Sequence, residues 1–294
     1  MIEVSHRRFS FARVLAIATN TFTELARLKV FHVLLIFALL LIGSSVFMAR
    51  FSFQQEFQIL KDVALGAMSI FTSLLAIVAT ARLIPQDIED RTIYTILAKP
   101  VARFEYLIGK LAGVLLLLGI GTLVMGAMFL IVLYAREQTV LHETARQMST
   151  MSPEQIEHAL RAIRTSALNV DIVPCIGLIY IKACLLGALT LFVSTFATTS
   201  VFTTVVMAFI YFIGHLQATA REYWLQQSGG WVTRTFLSLV ALIFPDLQAF
   251  NLVDGVIAGA AVPLAFFVET AALGIFYAAI YTLLAGVVFY GKEL

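Results

Sequence analysis

The chain reads as an all-α integral membrane protein with six transmembrane helices, and three observations predict it. Apolar residues make up 60% of the 294 positions, charged residues 13%, and mean hydropathy is +0.93. A soluble domain carries roughly half apolar and a quarter charged residues. Six apolar stretches alternate with polar intervals, most of them long enough to cross a hydrocarbon layer of about 30 Å. Several are rich in small residues, which suit close helix packing in a membrane. The net charge of +2 is spread along the chain and gives no basis for nucleic-acid binding.

Met1–Ser10 is polar and basic, with His6, Arg7 and Arg8. The next segment is not a secretory signal, because Phe11–Leu28 carries Arg13, Glu24 and Arg27 and lacks a small-residue cleavage pattern. Phe11, Val14, Leu15, Ala18, Phe22 and Leu25 recur at helical spacing and predict an amphipathic helix at the membrane surface. Residues 1–29 therefore form a terminal surface region, and 30–294 a single transmembrane domain. Val30–Ala49 is the first span, broken only by His32. A polar loop over 50–61 leads to a second span at about 63–84, rich in Ala, Gly and Ser. The third span, about 106–134, has Lys110 near its start, placed to snorkel to headgroups. Gly109, Gly113, Gly119, Gly121 and Gly126 in it allow close approach.

Residues 135–171 are the one sizeable polar excursion. Ser152-Pro153-Glu154-Gln155 reads as an N-cap followed by proline in a first turn, and Ile156, Leu160, Ile163 and Ala167 make the stripe of a short surface helix. The fourth and fifth spans, about 172–196 and 201–216, form a tight hairpin. Residues 217–263 are irregular: Tyr223, Trp224 and Trp231 suit an interface, and two apolar runs are too short to cross. They predict re-entrant or surface helices before the last span, about 264–290.

Between the second and third spans lies a charged interval, Arg82–Lys110, with acids clustered first and bases later. Pro85 and Pro100 bracket a stretch able to form one or two helical turns, tethered to a span at each end. Its central residues, Glu89-Asp90-Arg91-Thr92-Ile93-Tyr94-Thr95-Ile96-Leu97-Ala98-Lys99-Pro100-Val101-Ala102-Arg103, resemble the cytoplasmic coupling segment of six-helix ATP-binding-cassette exporter permeases. In that family an acid precedes a Gly-Thr or Arg-Thr pair, then an apolar run ending in Leu, then Pro, a small apolar residue and Arg. Arg91 stands where many members have Gly. The resemblance extends to Phe244-Pro245-Asp246-Leu247-Gln248-Ala249-Phe250-Asn251 and to the polar end Gly291-Lys292-Glu293-Leu294.

The resemblance implies an N-terminal elbow helix, a coupling helix between spans two and three, and a dimer, homodimeric or with a related permease. It also implies an ATPase subunit in trans. Glu89, Asp90 and Arg91 would make polar contacts to that partner, with Ile93, Tyr94 and Leu97 filling a groove on it; Thr92, Lys99, Pro100 and Arg103 complete the motif. ATP and Mg would sit on the partner, and no cofactor on this chain. A bacterial inner (cytoplasmic) membrane is the implied location, with lipid as surroundings.

Six spans put both termini on one side, together with Arg82, Arg91, Lys99, Arg103, Lys110 and the basic residues before Val30. Of the basic residues on the other side, half lie in the long excursion, where the positive-inside bias weighs little. Both termini and the charged interval are expected in the cytoplasm.

The sequence has no GxxxxGK[ST] phosphate loop, no HExxH and no Cys/His spacing of a metal site, so no enzymatic activity is expected of this chain. Cys175 and Cys184 would lie about 13 Å apart on one helix, too far for a disulfide. Lys182 and Glu269 fall inside the fourth and sixth spans, where charges are costly, and could pair at similar depth; snorkelling is the competing expectation. Two further readings stand beside an exporter permease: a secondary transporter or channel, for which no inverted repeat is visible, and a membrane anchor or assembly factor. The apolar, Phe-rich spans do not name a substrate.

Overall fold

A computed structural model describes residues 9–49, 56–91, 101–147, 153–167, 171–226, 235, 244–253, 255 and 263–291. The elements are all helical: α1 (Phe11–Ala26), α2 (Lys29–Ala49), α3 (Glu56–Ala81), α4 (Leu83–Glu89), α5 (Arg103–Gln147), α6 (Pro153–Ala167), α7 (Ile172–Phe196), α8 (Ser200–Gln226), a 3-10 turn at Gln248–Phe250, and α9 (Leu264–Gly291). Among the described residues six helical stretches are long and apolar enough to cross a membrane, supplied by α2, α3, α5, α7, α8 and α9.

Helix α7 is apolar all round, and a helix of that kind belongs in the interior. It packs along α9 and α3 and also touches α4, α5 and α8. Leu178, Leu185, Leu186, Ala188 and Leu191 are fully enclosed there. The outer faces of the bundle are equally apolar but exposed: Val33, Ile36 and Leu40 on α2, Phe209 and Phe212 on α8, Ile275 and Phe276 on α9. Contiguous exposed surface of this kind calls for an apolar solvent.

One break and three extensions separate the helices from the expected spans, and most have identifiable causes in the residues. The second span is helical from Glu56, so Lys61 and Asp62 stand within α3 and not in a loop. Lys61 is buried and its Nζ donates to the Ser166 carbonyl oxygen at 2.8 Å, satisfying an orphan carbonyl at the end of α6. The helix breaks at Arg82 because Pro85 has no N–H to give the Ala81 carbonyl and its ring crowds that turn. Helix α5 runs to Gln147, past the expected end at 134. Arg136, mostly buried, binds Glu56 Oε2 through Nη2 at 2.7 Å, so the polar residues there mark where the helix leaves the apolar layer and not where it stops. Helix α8 likewise continues beyond 216.

Within the irregular region 217–226 extend α8, and beyond them only Thr235, 244–253, Gly255 and Pro263 are described; the expected re-entrant helices otherwise lie outside the described residues. The 244–253 segment folds back into the bundle. Leu247 N–H donates to Gly214 O at 3.0 Å, and Asp246 Oδ1 accepts from Gln248 N–H at 3.0 Å. Phe250 is buried against Gly274, where an added Cβ would lie 2.8 Å from its ring.

Candidate functional site

The charged interval between the second and third spans rises from a polar collar built by four helices. Helix α4 leads into it and ends at Glu89; Glu89, Asp90 and Arg91 are all exposed. Arg91 has φ 55°, the left-handed region that glycine adopts without penalty, and its N–H donates to Ile88 O at 3.1 Å. That backbone accounts for why a glycine suits this place in the resembling pattern, and a side chain here carries a cost of about 1–2 kcal/mol. Thr92, Ile93, Tyr94, Leu97, Lys99 and Pro100 lie outside the described residues. The chain is next described at Val101, and Arg103 opens α5.

Both roots of the interval are tied down. On the incoming side Asp87 accepts from the Tyr106 hydroxyl and from Lys110 Nζ, the latter at 2.8 Å. Lys110 is buried, lies 3.7 Å from Glu24 on α1, and sits 5.8 Å from the Tyr106 ring centroid. It therefore points inward to a carboxylate, in place of the expected snorkelling, because Asp87 offers it a charged acceptor within the bundle. Tyr106 in turn stacks on Phe289 near the end of α9, with centroids 5.9 Å apart.

On the outgoing side Glu105 is 1% exposed and accepts four hydrogen bonds. Arg13 of α1 grips it with both arms, Nη2 to Oε1 at 2.8 Å and Nε to Oε2 at 2.9 Å. The N–H groups of Ser10 and Ala102 complete the set at 2.7 and 3.2 Å. A two-pronged charged pair of this sort fixes orientation as well as contact. Hydrogen bonding to Glu105 is also the main cause that raises the Arg13 pKa above its ordinary value. Arg103 Nη1 donates to Phe289 O at 3.0 Å and Tyr290 O at 3.1 Å, satisfying carbonyls at the end of α9.

Helix α1 reaches this collar because α5 presents two glycines one turn apart. A Cβ on Gly109 would lie 2.7 Å from Ile17 Cβ, and one on Gly113 would lie 2.7 Å from the Ala18 carbonyl oxygen. Of the expected apolar stripe on α1, Val14, Ala18 and Leu25 are buried while Phe11 and Leu15 are exposed. The helix thus shows one face to the bundle and keeps apolar residues on another.

Lys182 and Glu269 are not brought together. Lys182 is buried in α7 and donates to Ser69 Oγ of α3, whereas Glu269 is exposed on α9. The helices are in contact, but Glu269 lies on the face of α9 turned outward.

The residues that sequence reasoning misses are the partners. Periodicity puts Arg13 on a polar face and leaves Glu105 as one charge among several in the interval; nothing local links positions 92 apart. The signal that could find them is the Gly109–Gly113 pair, which marks where another helix lies close. Comparison with family models and with curated proteins gives no match, so the resemblance rests on the residues already quoted.

Proposed function

We propose that this chain is the membrane-spanning permease subunit of an ATP-driven exporter, working as a dimer and powered by a separate ATPase chain that docks on residues 82–110. The observation that carries the reading is the collar: the interval is anchored at one root through Asp87 and at the other through Glu105 and Arg103. A push on the interval is therefore delivered to α1, α4, α5 and α9 together. Exposed Glu89, Asp90 and Arg91 offer polar contacts, and Ile93, Tyr94 and Leu97 the apolar ones. Nucleotide and Mg belong to the partner. A bacterial inner membrane with both termini cytoplasmic completes the proposal.

The test is purification of the tagged chain in nanodiscs from its own host. A nucleotide-hydrolysing chain is expected to co-purify with the wild type. It should be lost from a Glu89→Ala, Arg91→Gly double variant, in which glycine suits the observed φ and so leaves the turn intact. If no such chain appears, a secondary transporter or a passive anchor replaces the exporter.

A further inference from the structure

A cavity of about 650 Å³ lies between α3 and α8, with Asn251 and Val253 also on its wall. That volume is typical of small-molecule sites, about 300–1,000 Å³. Its α3 wall runs from Asp62 to Val78, about 24 Å at 1.5 Å per residue, which is most of a bilayer core.

The wall is divided by polarity. Ser69, Lys182, Tyr211, His215 and Asn251 bring polar groups, and the Leu247–Gly214 hydrogen bond sets the Asn251 segment beside His215. Toward the α4 end of α3 the lining becomes Leu74, Ile77 and Val78, and the hydroxyl of Thr204, the polar residue of α8 on that part of the wall, is spent on the Ser200 carbonyl oxygen at 2.8 Å. Lys182 is 2% exposed, and its ammonium has three donors, of which one reaches Ser69 Oγ. No carboxylate among the described residues forms an ion pair with it. Asp62 stands two turns beyond Ser69, about 10 Å along the helix. A buried cation facing a cavity in the apolar layer, with no counter-ion among the described residues, marks a functional site.

We propose that this cavity binds a single-chain amphiphile with an anionic head, carboxylate or phosphate, the head on Lys182 and the chain along Leu74, Ile77 and Val78. The assignment rests on the permease reading only in treating this ligand as cargo. Neutral amphiphiles lack the charge that the ammonium requires, and a cationic head meets it with repulsion.

The purified full-length chain in nanodiscs of zwitterionic lipid would be titrated with radiolabelled palmitate, hexadecyl phosphate and hexadecanol. At least one of the two anions should bind saturably and at least about tenfold tighter than the alcohol, and comparing them decides between carboxylate and phosphate. Lys182→Met should erase that preference and Lys182→Arg retain it. Ala208→Trp, which narrows the cavity without touching charge, should weaken all three and keeps the test open if Lys182→Met fails to fold. Equal binding of anions and alcohol, an anion preference that survives Lys182→Met, or binding indifferent to Ala208→Trp overturns the proposal. No ATPase enters this assay, so its failure leaves co-purification of a partner untouched, and loss of the partner leaves the binding result standing.

Discussion

Gly113→Ala is expected to unseat α1 and lower stability by about 1–3 kcal/mol, the usual cost of overpacking a close contact. The added methyl would lie 2.7 Å from the Ala18 carbonyl oxygen and 2.7 Å from Thr21 Cβ, and backbone cannot yield as a side-chain tip can. Helix propensity works the other way, since alanine is favoured over glycine by about 1 kcal/mol in a helix interior. The comparison that isolates the contact is Gly119→Ala on the same helix. There the methyl meets the Tyr180 ring at 3.5 Å, an ordinary distance, so that variant should be neutral or more stable. Denaturation in detergent, with protease cleavage inside 11–26 as the local readout, measures both. If the two variants behave alike, α1 does not lie across Gly113.

Glu105→Ala should have the larger effect on the collar. It leaves Arg13 and the N–H groups of Ser10 and Ala102 without their acceptor, all at a carboxylate that is 1% exposed. Removing one partner of a buried pair costs about 3–5 kcal/mol. The Arg13 side chain is 32% exposed and recovers some hydration, so a loss of about 2–3 kcal/mol is expected. Because Arg13 and Glu105 act as a unit, Arg13→Ala added to Glu105→Ala should cost little more. Strictly additive losses in the double-mutant cycle would contradict the pairing.

The spans are legible in the sequence because their signal is local: an apolar run long enough to cross needs no knowledge of neighbours. Their ends are less so. Arg136 and Glu56 look like loop residues, yet each sits in a helix and they neutralise one another across 80 positions. Lys110 carries the same ambiguity, since a lysine near a span's start can snorkel or pair, and Asp87 decides between them. The Lys182–Glu269 expectation uses depth alone; depth does not say which way a helix turns its face, and Ser69 holds the ammonium instead. The interval itself shows the converse. Its motif can be read from neighbouring residues, while the anchorage at its roots depends on α1, far away in sequence.

The most direct measurement is photo-cross-linking from Tyr94, replaced by a benzoylphenylalanine, in native membranes with and without nucleotide. The account predicts one dominant adduct containing a nucleotide-binding chain, with a yield that changes when ATP is added. Adducts formed only with a second copy of this chain, or none at all, would contradict the docking of an ATPase on the 82–110 interval.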